Sequence, residues 1–346
     1  MCVDHGQPAL SAAVLHEVEI RETIALPPVD SVEIVSLMDN VTDAFMPDQG
    51  PARRVPPGAG PARPTATMAE GASPDVLIAE HGFSMLITVT TGGRAHRLLF
   101  DAGTSPDGVT ENMRRLGIDP GSIEAVVLSH GHFDHTAGLD GLLRALGRAE
   151  LPLVLHPHAW RKRRITLPGR DPIDLPTPSR RALADGGFEL LETERPSFLS
   201  GGGVLVTGEV GRVTGYEPGF PPQQSLLEGE WRPDPLVLDD QAIVINVRDK
   251  GLVVLTGCGH AGIVNICRHA TALTGGAHPL YAALGGFHLN GPAFEPLIPR
   301  VLDDLAAMDP RVLVPAHCTG WRAQHAMARR FGDAYVPNSV GTRFTF

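Results

Sequence analysis

The chain has 346 residues and a formal net charge of −10, with 42% hydrophobic and 20% charged residues. This ordinary apolar content excludes a disordered chain, and the apolar runs are too short for a membrane span of about 20 residues. The acidic balance disfavours broad binding of nucleic acid, and four cysteines in a chain this long do not form a disulfide scaffold. The first residues, MCVDHGQPAL, lack the basic and apolar stretches of a signal peptide, so we expect a cytoplasmic protein with a single domain over residues 1–346.

The first half of the chain alternates predicted strands and helices, which indicates an α/β fold. Apolar runs bounded by turn residues predict strands at Val32–Met38, Met85–Thr90, Arg97–Phe100, Ala125–Leu128 and Leu151–Leu155. Helical spacing predicts helices at Gly108–Leu116 and Leu139–Leu146. Residues 47–75 are rich in Pro, Gly and Ala and show no period, so they predict a surface loop or lid, with an inert insertion as the alternative.

The second half begins with an irregular segment, residues 157–237, which we interpret as an insertion. Within it, the pattern predicts one helix near Ser179–Ala184 and one strand near Val204–Thr207. Regular structure then returns, with strands predicted at Gln241–Val247, Leu252–Thr256, Leu280–Leu284 and Val312–Pro315, and helices at Gly262–Thr274, Phe294–Met308 and Trp321–Phe331. Both halves read as a hairpin followed by strand, loop and helix, which indicates an internal duplication.

The strongest functional signal is the segment SHGHFDHTAG, Ser129–Gly138, which follows a predicted strand. It places His130, His132, Asp134 and His135 within six residues on one strand-to-helix loop. Imidazole and carboxylate are ligands that zinc, iron and manganese accept. Alternation along the chain directs His130 and His132 to one metal, and Asp134 and His135 to a second. The motif therefore predicts a site for one or two divalent metals.

The HxHxDH motif and the upstream FDAG (Phe100–Gly103) resemble the metallo-β-lactamase superfamily. This resemblance implies a four-layer αββα sandwich with its metals at the edge between two sheets. Further motifs are similar to a subgroup named for 7,8-dihydropterin-6-ylmethyl-4-(β-D-ribofuranosyl)aminobenzene 5′-phosphate synthase: Asp39-Asn40, AEHGFS (Ala79–Ser84), LTGCGHAGIVN (Leu255–Asn265), GGFHL (Gly285–Leu289) and HCTG (His317–Gly320). The resemblance covers about 32–145 and 238–346.

The resemblance carries a ligand set over to this chain. His130, His132, Asp134 and His135 match the superfamily's ligands, and His317 matches the strand-end histidine of the second metal site. The superfamily usually has Thr-Gly-Asp where this chain has Thr256-Gly257-Cys258, and that Asp bridges both metals. Either Cys258 binds as a thiolate, which favours zinc, or His260 takes over, or Cys258 is only a small residue in a glycine turn.

Several other residues are weaker candidates. The superfamily's remaining histidine has no obvious counterpart, and Asp239, Asp240 or His288 are possible substitutes. Asp101 resembles the carboxylate that orients a ligand histidine, with a turn cap as the alternative. Glu80 and His81 are expected to line the pocket, and His156 and His158 to face the insertion. The candidate residues for stacking on a ring-shaped substrate are the aromatic ones of the insertion, Trp160, Tyr216 and Trp231.

We therefore expect a metal-dependent enzyme, with zinc as the first choice and manganese or iron as alternatives. The subgroup implies transfer with release of pyrophosphate, on a small-molecule substrate that is phosphorylated or pterin-like. In hydrolysis, a metal lowers the pKa of water and Asp134, with His135 beside it, handles the proton. The alternatives are a metallohydrolase acting on an ester, lactone or phosphodiester, and a metal-binding sensor or scaffold without turnover. Neither a nucleic-acid nor a membrane partner is expected.

Overall fold

The computed structural model describes residues 15–16, 18–20, 23–56 and 60–346. The predicted absence of a signal peptide concerns residues 1–14, which lie outside the described residues, as do residues 57–59 of the predicted 47–75 loop. None of the helices in the described part of the chain has the length and apolar character needed to cross a bilayer.

The regular elements alternate along most of the described chain. The strands are β1 Ser31–Met38, β2 Ala52–Arg53, β3 Ala62–Pro64, β4 Ala72–Pro74, β5 Ser84–Thr91, β6 Arg94–Phe100, β7 Ala125–Val127, β8 Pro152–Leu155, β9 Arg163–Ile165, β10 Ile173–Leu175, β11 Glu189–Glu192, β12 Ser197–Leu199, β13 Val204–Val206, β14 Gln223–Leu227, β15 Glu230–Pro233, β16 Ala242–Val247, β17 Gly251–Thr256, β18 Leu280–Gly286, β19 Val312–Ala316 and β20 Arg343–Thr345. The helices are α1 Gly108–Arg115, α2 Phe133–Thr136, α3 Leu139–Leu146, α4 Arg180–Asp185, α5 Ile263–Leu273, α6 Ile298–Ala307 and α7 Trp321–Phe331.

Two large sheets form the centre of the fold. The first has the order β11-β8-β7-β6-β5-β1-β20-β2, and the second has the order β12-β13-β16-β17-β18-β19. In the first sheet, β5 and β6 are antiparallel, and β7 and β8 continue parallel to β6. In the second, β16 and β17 are antiparallel, and β18 and β19 continue parallel to β17. The two halves therefore share the arrangement that their similar patterns predict.

The strands are apolar on both faces because each sheet is covered twice. On β17, Val253 and Leu255 pack between the two sheets, whereas Leu252 and Val254 pack against the outer helices. This division follows from the alternation of side chains across a strand. Helices α1 and α3 cover the outer face of the first sheet, and α5, α6 and α7 cover that of the second. The result is the expected four-layer αββα sandwich, so the predicted fold class is confirmed.

The segment 157–237 is more regular than its sequence pattern predicts. The helix and the strand expected there are present as α4 and β13. In addition, β10, β9, β14 and β15 form a small sheet, while β11 and β12 extend the two large sheets. These strands have three to five residues and little apolar alternation, so periodicity does not reveal them. The domain boundaries and the role of residues 47–75 stay predictions.

Candidate metal centre

The histidine-bearing loops meet where strands of both sheets end. The segment from His130 to His135 follows β7, the Cys258–His260 turn follows β17, and His317 follows β19. The carboxyl ends of neighbouring parallel strands share one edge of a sheet, which is where open α/β sheets place their ligand sites. Two groups of converging ligand atoms result, each with its atoms within 4.8 Å of one another.

The first group consists of His130, His132 and His260, all buried. His130 Nε2 lies 2.9 Å from His132 Nδ1, and His260 Nε2 lies 3.2 Å from the same atom. Two nitrogens bound to zinc at about 2.0–2.1 Å in a tetrahedron would lie roughly 3.3 Å apart. The spacing therefore suits three nitrogens around one ion, and it brings His260 to the two histidines of the motif.

Hydrogen bonds outside this group set which ring nitrogens face inward. The hydroxyl of Ser129 donates to Asp101 Oδ2 (2.7 Å), so it accepts from His130 Nδ1 at 2.9 Å. Similarly, His132 Nε2 donates to Gln223 Oε1 at 2.6 Å. His130 Nε2 and His132 Nδ1 are then both unprotonated, so their lone pairs face each other without a hydrogen between them. Such facing acceptors repel one another unless a cation lies between them.

The second group consists of Asp134, His135, Cys258 and His317, again buried. Asp134 Oδ2 lies 3.3 Å from His317 Nε2 and 3.7 Å from His135 Nε2. Cys258 Sγ lies 3.2 Å from His135 Nε2. The structure thus brings Asp134 and His135, which alternation directs to a second metal, together with His317, which the resemblance implies for that site, and the sulfur of Cys258 lies in the same group.

Burial controls the charge of these ligands. It lowers the pKa of His132 to about 4 and holds the pKa of His130 and His260 well below the usual range. Burial by itself would raise the pKa of Asp134. The neighbouring His135 and His317 outweigh this effect and keep the pKa of that carboxyl well below its ordinary value. The first group is therefore neutral imidazole and Asp134 is ionised at pH 7, the protonation states that a metal requires.

Asp101 has the position expected of a carboxylate that orients a ligand. Its Oδ2 accepts hydrogen bonds from His135 Nδ1 and from the Ser129 hydroxyl, both at 2.7 Å, and its Oδ1 accepts from the Ser129 amide at 2.7 Å. Burial by itself would lower the pKa of His135, but Asp134 and Asp101 outweigh it and raise that pKa, so this ring gives up a proton when it binds a metal. The proton that remains is held on Nδ1 by Asp101, which leaves Nε2 as the ligand atom. The alternative of a simple turn cap does not explain this contact with the ring.

Three further buried carboxylates hold the ligand loops by their backbone. Asp39 Oδ1 accepts from the His317 amide at 2.8 Å, Asp239 Oδ2 from the Gly131 amide at 2.8 Å, and Asp240 Oδ2 from the Ala261 amide at 2.7 Å. Asp239 is also paired with Arg163 at 2.5 Å. Neither Asp239 nor Asp240 belongs to either ligand group, so the suggestion that one of them replaces the missing histidine stays a prediction. Their carboxylates are used in fixing the loops.

Glu80, His81 and His288 have different surroundings. Glu80 is not among the residues that line the cavity of about 480 Å³ beside the second ligand group: its Oε1 accepts from the amides of Thr104 (2.8 Å) and Ser105 (3.0 Å). His81 does line the cavity, and its ring stacks on His317 with centroids 4.9 Å apart. His288 lies beside the first group, with its ring 4.4 Å from that of His260, but it is in neither ligand group.

The insertion contributes two residues that sequence reasoning missed. Gln223 receives the hydrogen bond from His132, and the ring of Phe220 lies 5.3 Å from that of His260 and 5.2 Å from that of His288. No motif marks them, because Gln and Phe in an irregular segment have no ligand spacing. The aromatic residues proposed as anchors, Trp160, Tyr216 and Trp231, do not line the cavity.

A third set of ligand-type side chains, His156, His158 and Glu209, lies at the insertion. His156 Nδ1 accepts a hydrogen bond from the His158 amide at 3.0 Å, so the neutral ring carries its proton on Nε2. That Nε2 lies 3.3 Å from Glu209 Oε1 and donates to it. Because His156 Nε2 has no lone pair to offer, this set is a hydrogen-bonded pair rather than a metal site.

A cavity of about 480 Å³ opens beside the second ligand group. His81, His288 and His317 form its inner wall, and Phe220 and Phe294 lie beside them. The donor sets, nitrogen with oxygen and sulfur, are those that zinc accepts, and the facing lone pairs of the first group also fit a cation. The two groups therefore fit divalent metals, and the cavity beside the second group can hold a substrate.

Comparisons with known proteins identify the family to which the chain belongs. Residues 77–317, more than half of the chain, match the sequence profile of the metallo-beta-lactamase superfamily. One curated relative is the 7,8-dihydropterin-6-methyl-4-(beta-D-ribofuranosyl)-aminobenzene-5'-phosphate synthase of Methanocaldococcus jannaschii, 29% identical over 275 residues that cover 77% of this chain and 90% of that protein. A shorter match, 44% identical over 48 residues, is to the ribonuclease Z of Pyrobaculum neutrophilum and covers 14% of this chain and 16% of that protein.

A solved structure described as a metal-dependent hydrolase of the beta-lactamase superfamily has a TM-score of 0.64 with this chain. It is 24% identical, and the match covers 90% of this chain and 98% of that one, which shows a shared fold. The match of the family profile, together with this fold, confirms the resemblance read from the motifs. The chain belongs to the metallo-beta-lactamase superfamily.

Proposed function

We propose that this chain is an enzyme that depends on one or two divalent metals, with zinc as the first choice. His130, His132 and His260 would hold one ion, and Asp134, His135 and His317 a second, with Cys258 as a further ligand of the second. The observation that carries the proposal is the pair of converging ligand groups beside an open cavity. A catalytic site keeps an open face for a substrate, whereas a purely structural site is closed. This open face favours an enzyme over the sensor or scaffold alternative.

We further propose that the reaction transfers the pterin-methyl group of a dihydropterin diphosphate to an arylamine. The amine nitrogen bonds to the methylene carbon, the bond from that carbon to the diphosphate oxygen breaks, pyrophosphate leaves, and the nitrogen gives up its proton. The support is the similarity to the dihydropterin synthase over most of both chains. When bound, the metals supply Lewis-acid stabilisation of the negative charge on the departing phosphate oxygens.

The chain's own residues have separable roles in this reaction. Asp101 fixes the ring of His135, and Asp39 fixes the backbone of His317. Asp134 is an ionised carboxylate whose Oδ2 lies 3.9 Å from Nε2 of His81, a residue that lines the cavity. His81 is largely exposed, so it can pass a proton between the reacting nitrogen and solvent, while the ionised Asp134 beside it orients its ring.

The test begins with elemental analysis of the purified protein before and after chelation. Two equivalents of metal are expected, and reloaded protein is then assayed for pyrophosphate release from a dihydropterin diphosphate with an arylamine acceptor. Release that needs both the acceptor and the metal supports the transferase. Release that needs metal but not the acceptor, or cleavage of an ester, lactone or phosphodiester, points to the metallohydrolase instead. Protein that takes up no metal under any loading condition contradicts the proposal.

A further inference from the structure

The cavity beside the metal centre has an outer wall that the ligand chemistry does not use. Trp321 is the first residue of α7, and 63% of it is exposed although it is a large aromatic residue. Its neighbours in this wall are Gln324, one turn further along the helix, and Asn290. Burying an exposed indole beside an active site yields more binding energy than burying most other side chains.

The position of this wall is built into the backbone. Gly320 has a φ of 82°, and a Cβ there would meet the Asn290 side chain at 2.8 Å. A side chain at residue 320 would therefore be strained and would displace Asn290. This close approach keeps the carboxamide of Asn290 beside the start of α7, next to Trp321.

The described lining of the cavity offers no strongly basic side chain for a phosphate group. None of the described residues that line it is a lysine or an arginine, whereas four of them are carboxamides: Asn40, Asn290, Gln324 and Asn338. The guanidinium of Arg322, which follows Trp321 in the chain, lies 5.5 Å from the Trp321 ring centroid and is paired with Glu295 at 3.1 Å. Binding a phosphate away from the metals would normally need an arginine or lysine pair. The charged end of a substrate is thus directed to the metal groups rather than to this wall.

We propose that Trp321, with Gln324 and Asn290 beside it, is the platform on which the planar, uncharged ring of the substrate stacks and forms its hydrogen bonds. The inference rests on the proposed function, because a ring bound here leaves its phosphorylated end toward the ligand groups. Trp321 is a specificity-determining residue in this arrangement, and it takes no part in the chemical step. Stacking of one ring on an aromatic side chain changes affinity by about 5- to 150-fold.

The experiment measures binding and turnover separately, on the full-length, metal-loaded protein. Calorimetric titration with an uncharged pterin and with inorganic pyrophosphate compares the wild type with Trp321→Ala and Trp321→Phe. A matched control is Trp231→Ala, a tryptophan that does not line the cavity. For Trp321→Ala we expect pterin binding at least tenfold weaker, pyrophosphate binding unchanged and KM raised with kcat within twofold. Trp321→Phe, which keeps an aromatic face, should recover most of the affinity, and Trp231→Ala should bind both probes like the wild type.

The outcomes separate this inference from the proposed function. If Trp321→Ala binds pterin like the wild type, or weakens both probes equally, or if the wild type binds no pterin, the platform is refuted. If pterin binding depends on Trp321 but no pyrophosphate is released from a dihydropterin diphosphate, the platform stands and the proposed reaction fails. If pyrophosphate is released with the same KM by the wild type and by Trp321→Ala, the reaction stands and the platform fails.

Discussion

Replacing Asp101 with Asn should weaken one metal group while leaving the fold intact. Asn adopts positive φ readily, so the backbone at residue 101, where φ is 59°, is preserved. The amide has one accepting oxygen where the carboxylate has two. If its oxygen faces the Ser129 amide, its NH₂ faces His135 Nδ1, which forces the proton of that ring onto Nε2. If the side-chain amide is flipped, its NH₂ faces the backbone N–H of Ser129, so two donors are placed opposite each other.

The magnitude follows from the bonds that are lost. Asp101 accepts three hydrogen bonds at 2.7 Å in a fully buried position, one of them from the ring of a proposed ligand. A hydrogen bond to a charged group contributes about 1.5–3 kcal/mol, and the loss of a carboxylate behind a ligand histidine typically costs 10- to 100-fold in metal affinity. We therefore expect metal affinity at the Asp134, His135 and His317 group to fall by about 10- to 100-fold.

The assay is competitive titration with a chelator, followed by elemental analysis of the protein. Asp249→Asn is the matched control, because Asp249 also has a positive φ, 61°, but lies in an exposed turn. At a chelator concentration that leaves both equivalents of metal on the wild type, the Asp101 variant should lose one equivalent, and the control should retain both. Asp101→Asn protein that keeps both metals with affinities within about threefold of the wild type would refute the reasoning.

Three further predictions concern the ligands and one buried acid. His132→Ala should remove most bound metal and all activity, and full metal content by elemental analysis would contradict the assignment of His132. Cys258→Ser should lower the zinc content or change the preferred metal, because it removes the sulfur from the second group, and unchanged content would make Cys258 a turn residue only. Burial raises the pKa of Glu217 to about 7 from 4.5, so the folded state binds an extra proton there and the contribution of Glu217 to stability should fall as the pH rises from about 4.5 to 7. Glu217→Gln should lack that contribution, a difference of about 2.5 kcal/mol between pH 5 and pH 8 in urea unfolding, and equal pH dependence in the variant and the wild type would contradict the burial argument.

The elements that the sequence predicts well are those with strong local patterns. The hairpin strands β5 and β6, and helices α3 and α7, lie where apolar spacing and turn residues place them. Strand β20 is three residues long and was not predicted, because its place beside β1 depends on pairing across almost the whole chain. The same reason explains the small sheet within residues 157–237.

The candidate site shows the same division between local and distant information. His130, His132, Asp134 and His135 are recognisable because they lie together on one loop. The choice among Cys258, His260 and His288 could not be made from spacing, since each is more than a hundred residues from that loop and all three lie near it in the fold. Likewise, the aromatic residues expected to anchor a substrate ring lie in the insertion, but the indole that lines the cavity is that of Trp321.

The sequence by itself determined the superfamily and the layered α/β fold, through the resemblance of its motifs, and it predicted the core of the proposed ligand set, because four ligand-type residues lie on one short loop after an apolar strand. Only the tertiary structure decided how the ligands are divided, with His260 joining His130 and His132, and Cys258 joining His135. It also decided that Asp39 holds the His317 amide across 278 residues of sequence and that Gln223 of the insertion orients His132. The physical reason is that a hydrogen bond or a ligand contact depends on distances of about 3 Å in space, which strand pairing and sheet packing set and local periodicity does not.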